Sequence, residues 1–163
     1  MSLHLRIVMP VLNEGRTLAR SLQALQPLRG RGAQVVVVDG GSTDDTWALA
    51  QALADRVLLA PRGRAAQMNA GASSEGCPRA DVLLFLHSDT RLPPAADQLI
   101  GAALQNGAAW GRFDVRLDSD HRLLRLVAGV MNLRSRLTGI ATGDQALFVR
   151  REVFESVGGY ADL

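Results

Sequence analysis

Polar residues able to do chemistry stand at the ends of three apolar runs. Asn13-Glu14 follows Ile7-Val8-Met9-Pro10-Val11-Leu12, Asp39-Gly40-Gly41-Ser42-Thr43-Asp44 follows Val35-Val36-Val37-Val38, and His87-Ser88-Asp89 follows Val82-Leu83-Leu84-Phe85-Leu86. Asp39 could accept hydrogen bonds from a nucleobase or a ribose, and the glycines behind it permit a tight turn and close approach of the backbone to a ligand. An ordinary Asp-Gly turn, with Ser42 or Thr43 capping the next helix and Asp44 and Asp45 in its first turn, is the plain alternative. Asp89 could hold a hard divalent cation that bridges two phosphates. His87 could join it or simply bond to neighbouring backbone. Arg62-Gly63-Arg64, followed by Gln67, Asn69 and Gly71, sets two guanidinium groups near a helix start. That favours an anion such as a diphosphate, although a basic surface helix has the same pattern. Asp144, in Gly143-Asp144-Gln145, suits a general base, an acceptor-binding group or a turn carboxylate.

The apolar runs are short, β-branched or Leu-rich, and not alternating, which is the pattern of strands buried on both faces of a parallel sheet. Strands are predicted over Leu5–Pro10, Gln34–Val38, Val57–Ala60 and Asp81–Leu86. Helices are predicted over Glu14–Leu25, Asp45–Ala54, Arg64–Ala72 and Pro94–Gln105. This alternation implies an α/β fold with a parallel sheet and right-handed crossovers. Its carboxyl edge, where open α/β sheets bind ligands, would collect Asn13, Asp39 and Asp89. Beyond residue 105 the pattern changes. Trp110–Leu117 alternates between two unlike faces and predicts an antiparallel edge strand. His121–Leu137 predicts a helix with a broad apolar stripe, Ala146–Val149 a further strand, and Arg151–Val157 a short helix closed by Gly158-Gly159. No linker interrupts the chain, so residues 1–163 are expected to form one domain.

Composition excludes several classes. Hydrophobic residues make up 47% and charged residues 21%, ordinary values for a globular protein. The formal charge is only +2, every basic side chain is Arg, and the arginines are dispersed, which argues against nucleic acid as a partner. Cys77 is alone, so no internal disulfide forms and a reducing, cytoplasmic compartment is expected. No run reaches the roughly 18 apolar residues of a membrane span. Membrane contact is therefore expected to be at most peripheral, at the inner face, through Leu123–Leu137 and its Arg122, Arg125, Arg134 and Arg136. A core-packed helix with solvated arginines accounts for the same residues. No dinucleotide fingerprint or Walker A motif is present. His4, His87 and His121 lack a supporting nucleophile pattern, and no Cys/His zinc constellation exists.

Taken together, these residues resemble the inverting family 2 glycosyltransferases of the GT-A fold, over nearly the whole chain. Pro10-Val11-Leu12-Asn13-Glu14 is similar to the opening Pro-x-x-Asn-Glu, and Val38 through Thr46 to the uracil-and-ribose segment. Gly63-Arg64 through Asn69-Ala70-Gly71 is similar to the stretch that closes over the nucleotide. Phe85-Leu86-His87-Ser88-Asp89 occupies the place of the metal-binding Asp-x-Asp, with His87 in place of the first acid. Phe148-Val149-Arg150-Arg151 to Gly158-Gly159-Tyr160 is similar to the segment after the acceptor region. The finer pattern Gly-Arg-Ala-x-Gln-Met-Asn, His-Ser-Asp-Thr and Gly-Asp-Gln resembles a bacterial subgroup associated with radical-SAM or selenium-related gene clusters.

The resemblance implies a GT-A, Rossmann-like fold and a metal-dependent, inverting transfer of sugar from a UDP- or GDP-linked donor to an acceptor hydroxyl. It assigns nucleotide-sugar binding to Pro10, Asn13, Glu14, Asp39, Gly41, Ser42, Arg64, Asn69, His87 and Ser88. It assigns Mg²⁺ or Mn²⁺ to Asp89, with His87 as a second candidate ligand. Residues 1–105 would form the nucleotide-sugar half, and 106–163 the start of the acceptor half. The family's Glu-Asp pair, whose Asp is the general base, normally comes shortly after Gly-Gly-Tyr. The resemblance therefore places the usual base beyond Leu163, the last residue of the sequence. A shortened chain is expected, with Asp144 as the substitute base. A homo-oligomer is compatible with these features. The rivals are a catalytically silent nucleotide-sugar-binding module and a membrane-surface protein.

Overall fold

The computed structural model describes residues 3–75, 78–114 and 145–161. Its strands are β1 (Leu5–Val11), β2 (Gln34–Asp39), β3 (Arg56–Leu59), β4 (Val82–Phe85), β5 (Trp110–Arg112) and β6 (Leu147–Arg150). Its helices are α1 (Leu18–Ala24), α2 (Gln26–Gly30), α3 (Thr46–Leu53), α4 (Arg64–Ala72), α5 (Ala96–Gln105) and α6 (Arg151–Ser156). The strands form one sheet in the order β3-β2-β1-β4-β6-β5. The first four are parallel, and β6 runs antiparallel to both β4 and β5.

Period-two alternation divides β1 between two cores. Leu5, Ile7, Met9 and Val11 pack with Val35, Val37, Leu84 and Leu86 beneath α1, α2, α3 and α5, as Leu18, Leu22, Leu28 and Ile100 show. Val8 packs with Val36, Val38, Leu83 and Phe85 on the other face, beneath α4 and α6. Arg6 also belongs to that second face and is fully buried. Its guanidinium donates to the carbonyls of Ala72 at 3.0 Å, Ser74 at 3.2 Å and Pro78 at 3.1 Å. The charge thus meets the negative end of α4, where orphan carbonyls need donors. Arg150 does the same for α5, donating to Leu104 O at 2.7 Å and Ala108 O at 3.1 Å.

Among the described residues the predicted elements correspond to observed ones with shifted ends, and one difference has a clear physical cause. The helix expected over Glu14–Leu25 starts only at Leu18, because the backbone of residues 13–15 is bonded to the β2–α3 loop instead. Beyond Leu25 the chain goes on into α2, with Pro27 in its first turn, where its missing N–H costs nothing. β6 inserts between β4 and β5, and Trp110–Arg112 is the antiparallel edge strand that the sequence predicts. Cys77, the remainder of the strand expected to Leu117, the helix His121–Leu137 and Asp144 lie outside the described residues. So does Leu163, beyond which the usual base is expected, and the description stops at Ala161. Neither placement of the general base, at Asp144 or past Leu163, is therefore located by the fold. Among the described residues, no helix is long and apolar enough to cross a membrane.

Candidate functional site

Sheet order reverses between β1 and β4: β1 leads to β2 and β3 on one side, while β4 lies on the other. The loops leaving β1 and β4 both lead to helices on one face, α1 and α5, and start at the carboxyl edge, where open α/β sheets bind ligands. Asn13 and Glu14 follow β1, Asp39 ends β2, and His87, Ser88 and Asp89 follow β4, so the structure brings all three clusters to this edge. The register fixes their relative heights, with Val11 opposite Asp39 and Val8 opposite Phe85. Leu147 pairs with Phe85, so the buried Gln145 and Ala146 enter β6 from the same edge.

Asp39 is 1% exposed, yet one side of its carboxylate is saturated. Oδ1 accepts from the Gly41 N–H at 3.1 Å, the Ser42 N–H at 2.9 Å and the Ser42 hydroxyl at 2.6 Å. Among the described residues no hydrogen bond reaches Oδ2. Ser42 Oγ also accepts from the Asn13 N–H at 2.8 Å, linking the β1 loop to the β2 carboxylate. Asn13 has φ 55°, a left-handed conformation that Asn tolerates better than most residues. Its side-chain oxygen accepts from the Thr43 N–H at 2.8 Å. The Glu14 N–H donates to Thr46 Oγ1 at 2.8 Å, and the Gly15 N–H to Asp44 Oδ2 at 3.0 Å. Pro10 is buried in β1 opposite Val38.

Asp44 therefore does not sit in the first turn of α3, and neither Ser42 nor Thr43 caps that helix. The N-cap is Asp45, without a side-chain bond. Asp44 instead bridges loops, and the Thr46 hydroxyl, helped by the Thr46 and Gly15 N–H groups, holds its carboxyl below the usual carboxylate range. Thr43, Asp44 and Thr46 are bridging residues that sequence reasoning misses. The short polar string around them is the signal, but its partners lie on the β1 loop, about thirty residues away.

The β4 side is built differently. Ser88 is 4% exposed, and its carbonyl accepts from the Ser21 hydroxyl of α1. His87 is half-buried, and its carbonyl accepts from the Thr90 N–H at 3.1 Å in a tight turn. Asp89 is exposed, with a 3.3 Å contact from the Thr90 hydroxyl. Among the described residues no cluster of three or more His, Cys, Asp or Glu side chains could cage a metal ion. The Asp89 carboxylate is a hard oxygen donor of the kind that Mg²⁺ takes alongside phosphate oxygens.

Arg64 opens α4 and is exposed, making no ion pair among the described residues. Asn69 lies one and a half turns further along, and both ends of its amide are engaged. Nδ2 donates to Tyr160 O, and Oδ1 accepts from the Tyr160 N–H, each at 2.9 Å. Gly159 passes so close that a Cβ there would come within 2.7 Å of Asn69 Oδ1. Burial under this segment pushes the Tyr160 phenol up to about 12. Two cavities lie between α4 and α6, and neither is lined by Asn13, Asp39 or Asp89. One of about 330 Å³ is lined by Asn69, Leu83 and Phe154, and one of about 490 Å³ by Arg6, Ser74 and Arg151 near the amino edge.

Comparison with known proteins gives a family and a fold. The family model described as Glycosyl transferase family 2 matches residues 6–158. No curated protein matches the chain. Among solved structures, S. aureus TarS superposes with a TM-score of 0.73 at 14% identity, covering 98% of this chain and 50% of that one. Glucosyl-3-phosphoglycerate synthase from Mycobacterium tuberculosis, in complex with Mn²⁺, UDP and glucosyl-3-phosphoglycerate, gives 0.64 at 23% identity, covering 94% and 58%. The mannosyltransferase PcManGT from Pyrobaculum calidifontis, in complex with GDP-Man and Mn²⁺, gives 0.66 at 23%, covering 97% and 47%. The chain thus spans about half the length of these structures. The mostly parallel six-stranded sheet with flanking helices matches their GT-A architecture.

Proposed function

The chain belongs to glycosyltransferase family 2, and from that premise we propose that it carries the donor site of an enzyme moving a sugar from a UDP- or GDP-linked donor to an acceptor hydroxyl, with inversion. The observation that carries this reading is the Asp39 carboxylate at the carboxyl edge, with Oδ1 held by three donors and Oδ2 left to accept from a base or ribose. Residues 1–105 bind the nucleotide sugar, and 106–163 contribute to the acceptor side. Pro10, Asn13, Glu14, Gly41 and Ser42 shape the nucleoside pocket. Arg64 faces the diphosphate, and His87 and Ser88 the donor sugar side. Asn69 supports the site through Tyr160 rather than by contact, since its amide is already engaged.

Asp89 would hold a divalent cation, Mg²⁺ or Mn²⁺, and such an ion would neutralise the charge that develops on the leaving diphosphate. Attack by the acceptor hydroxyl on the anomeric carbon, from the face opposite the diphosphate, inverts that centre. The hydroxyl proton passes to a general base, for which Asp144 is the nominated residue within the sequence. Two of the superposed structures hold Mn²⁺ with a nucleotide or nucleotide sugar, which supports this choice of ligands.

The test is a panel of nucleotide sugars followed by thermal shift, with and without Mn²⁺. UDP- or GDP-sugars are expected to raise the unfolding midpoint, more so with Mn²⁺. A panel without any stabilising nucleotide would sink the reading. Binding without transfer to any acceptor would instead favour a catalytically silent module.

A further inference from the structure

Building on the proposed donor site, we infer that Gln67 is a positioning residue that sets the geometry of its nucleoside half. The β1–β2 ladder runs out at the pair Val11 and Asp39, just before the loops that carry Asn13 and Ser42. Past that point the Gly40 N–H still donates to Val11 O at 3.0 Å. Gln67 adds the remaining tie from α4: its Nε2 donates to Val11 O at 2.9 Å and to Val38 O at 2.7 Å. Two carbonyls can be satisfied together only by an N–H₂ group, so the amide has one orientation. The side chain is 4% exposed, and water does not replace it.

The approach depends on Gly71, one turn further along the same buried face of α4. A Cβ there would fall 2.3 Å from Val8 Cγ1 and 2.9 Å from Val38 Cγ2, so only glycine lets the helix come near enough for the amide to reach. Gly40 closes the other side, where an added Cβ would meet the same amide at 3.3 Å. Gln67 thus ties the backbone just before Asp39 to the strand that leads to Asn13. Its side-chain hydrogen bonds go to β1 and β2 and not to the β4 loop, so its influence belongs to the nucleoside and not to the metal.

The experiment measures binding of uridine and guanosine, and of UDP and GDP with and without Mn²⁺, in wild type, Gln67→Met and Asp39→Ala, well below each unfolding midpoint. Gln67→Met keeps the volume and removes both donors. It is expected to weaken the nucleoside and the diphosphate by the same factor, about tenfold, and to leave the Mn²⁺ enhancement unchanged. Added to Asp39→Ala, it should cost little more, because it acts through that carboxylate. In the wild-type chain the Gln67 side-chain amide resonances should shift when nucleoside binds, a readout that does not depend on the variant folding. Wild-type affinity in a folded Gln67→Met, a loss confined to the Mn²⁺ enhancement, or unmoved amide resonances would each overturn the inference. A wild-type chain that binds neither nucleoside overturns the donor-site reading, and this inference with it.

Discussion

The two sides of the carboxyl edge are held in opposite ways. On the β1–β2 side, backbone N–H groups of residues 13, 14 and 15 are bonded to Ser42, Thr46 and Asp44, while Asn13 accepts from Thr43 across the gap and Asp39 accepts from the loop that follows it. On the β4 side, Asp89 is exposed and has one long contact from its neighbour Thr90. The first side has its shape before any ligand arrives. The second presents charge whose partners must come with the ligand. A rigid pocket for the part recognised by shape lowers the cost of ordering on binding. A carboxylate with spare coordination suits a hydrated ion that exchanges with its substrate.

Substitutions can break this contrast at graded strength. Asp39→Ala removes the acceptor of two backbone N–H groups and of the Ser42 hydroxyl. Its cost should be the largest, about 100-fold in affinity for nucleoside and diphosphate alike, equivalent to about 2.7 kcal/mol. Calorimetric titration checks it, and a loss confined to the diphosphate would move Asp39 away from the base and ribose. Asp89→Ala should raise the Kd for UDP or GDP about tenfold in Mn²⁺, and leave nucleoside affinity and the unfolding midpoint unchanged. Mn²⁺-dependent affinity equal to wild type would remove Asp89 from the metal site.

The smallest effect concerns pH. Because the folded pKa of Asp44 is lowered, its loop bridge contributes stability above the ordinary Asp value of about 3.9 and loses it as pH falls through the folded value. Thermal unfolding of wild type and Asp44→Asn should therefore differ at pH 6 and converge as the pH falls well below the ordinary Asp value. A gap that persists in acid would mean that the carboxylate charge is not what stitches the loops.

Much of this arrangement is legible in the chain. Val35 to Val38 and Val82 to Leu86 can be little else than buried strands, and parallel pairing then carries the residues after them to one edge. Beyond residue 105 the topology is not local. That β6 enters between β4 and β5 depends on its pairing with β4 across more than sixty residues, which no short window encodes. Gln67 and Arg6 are hidden for a related reason. Each is a polar side chain on a buried face, and its value comes from carbonyls that lie on other elements. The one signal available for Gln67 is an amide placed four residues before a glycine on the inward face of a helix.

The position of β4 has a consequence for synthesis. All four of its residues are buried, and it pairs with β1 on one side and with β6 on the other. β1 to β4 are complete once Phe85 has emerged, but β6 begins only at Leu147. In a chain growing from its amino end, the parallel quartet can assemble while one side of β4 still offers an open ladder flanked by Leu83 and Phe85. An unguarded apolar edge of that kind recruits strands from other chains. The yield of folded protein is therefore set by how quickly the late strand arrives, and slow elongation or crowding between those two points should favour aggregates over monomer.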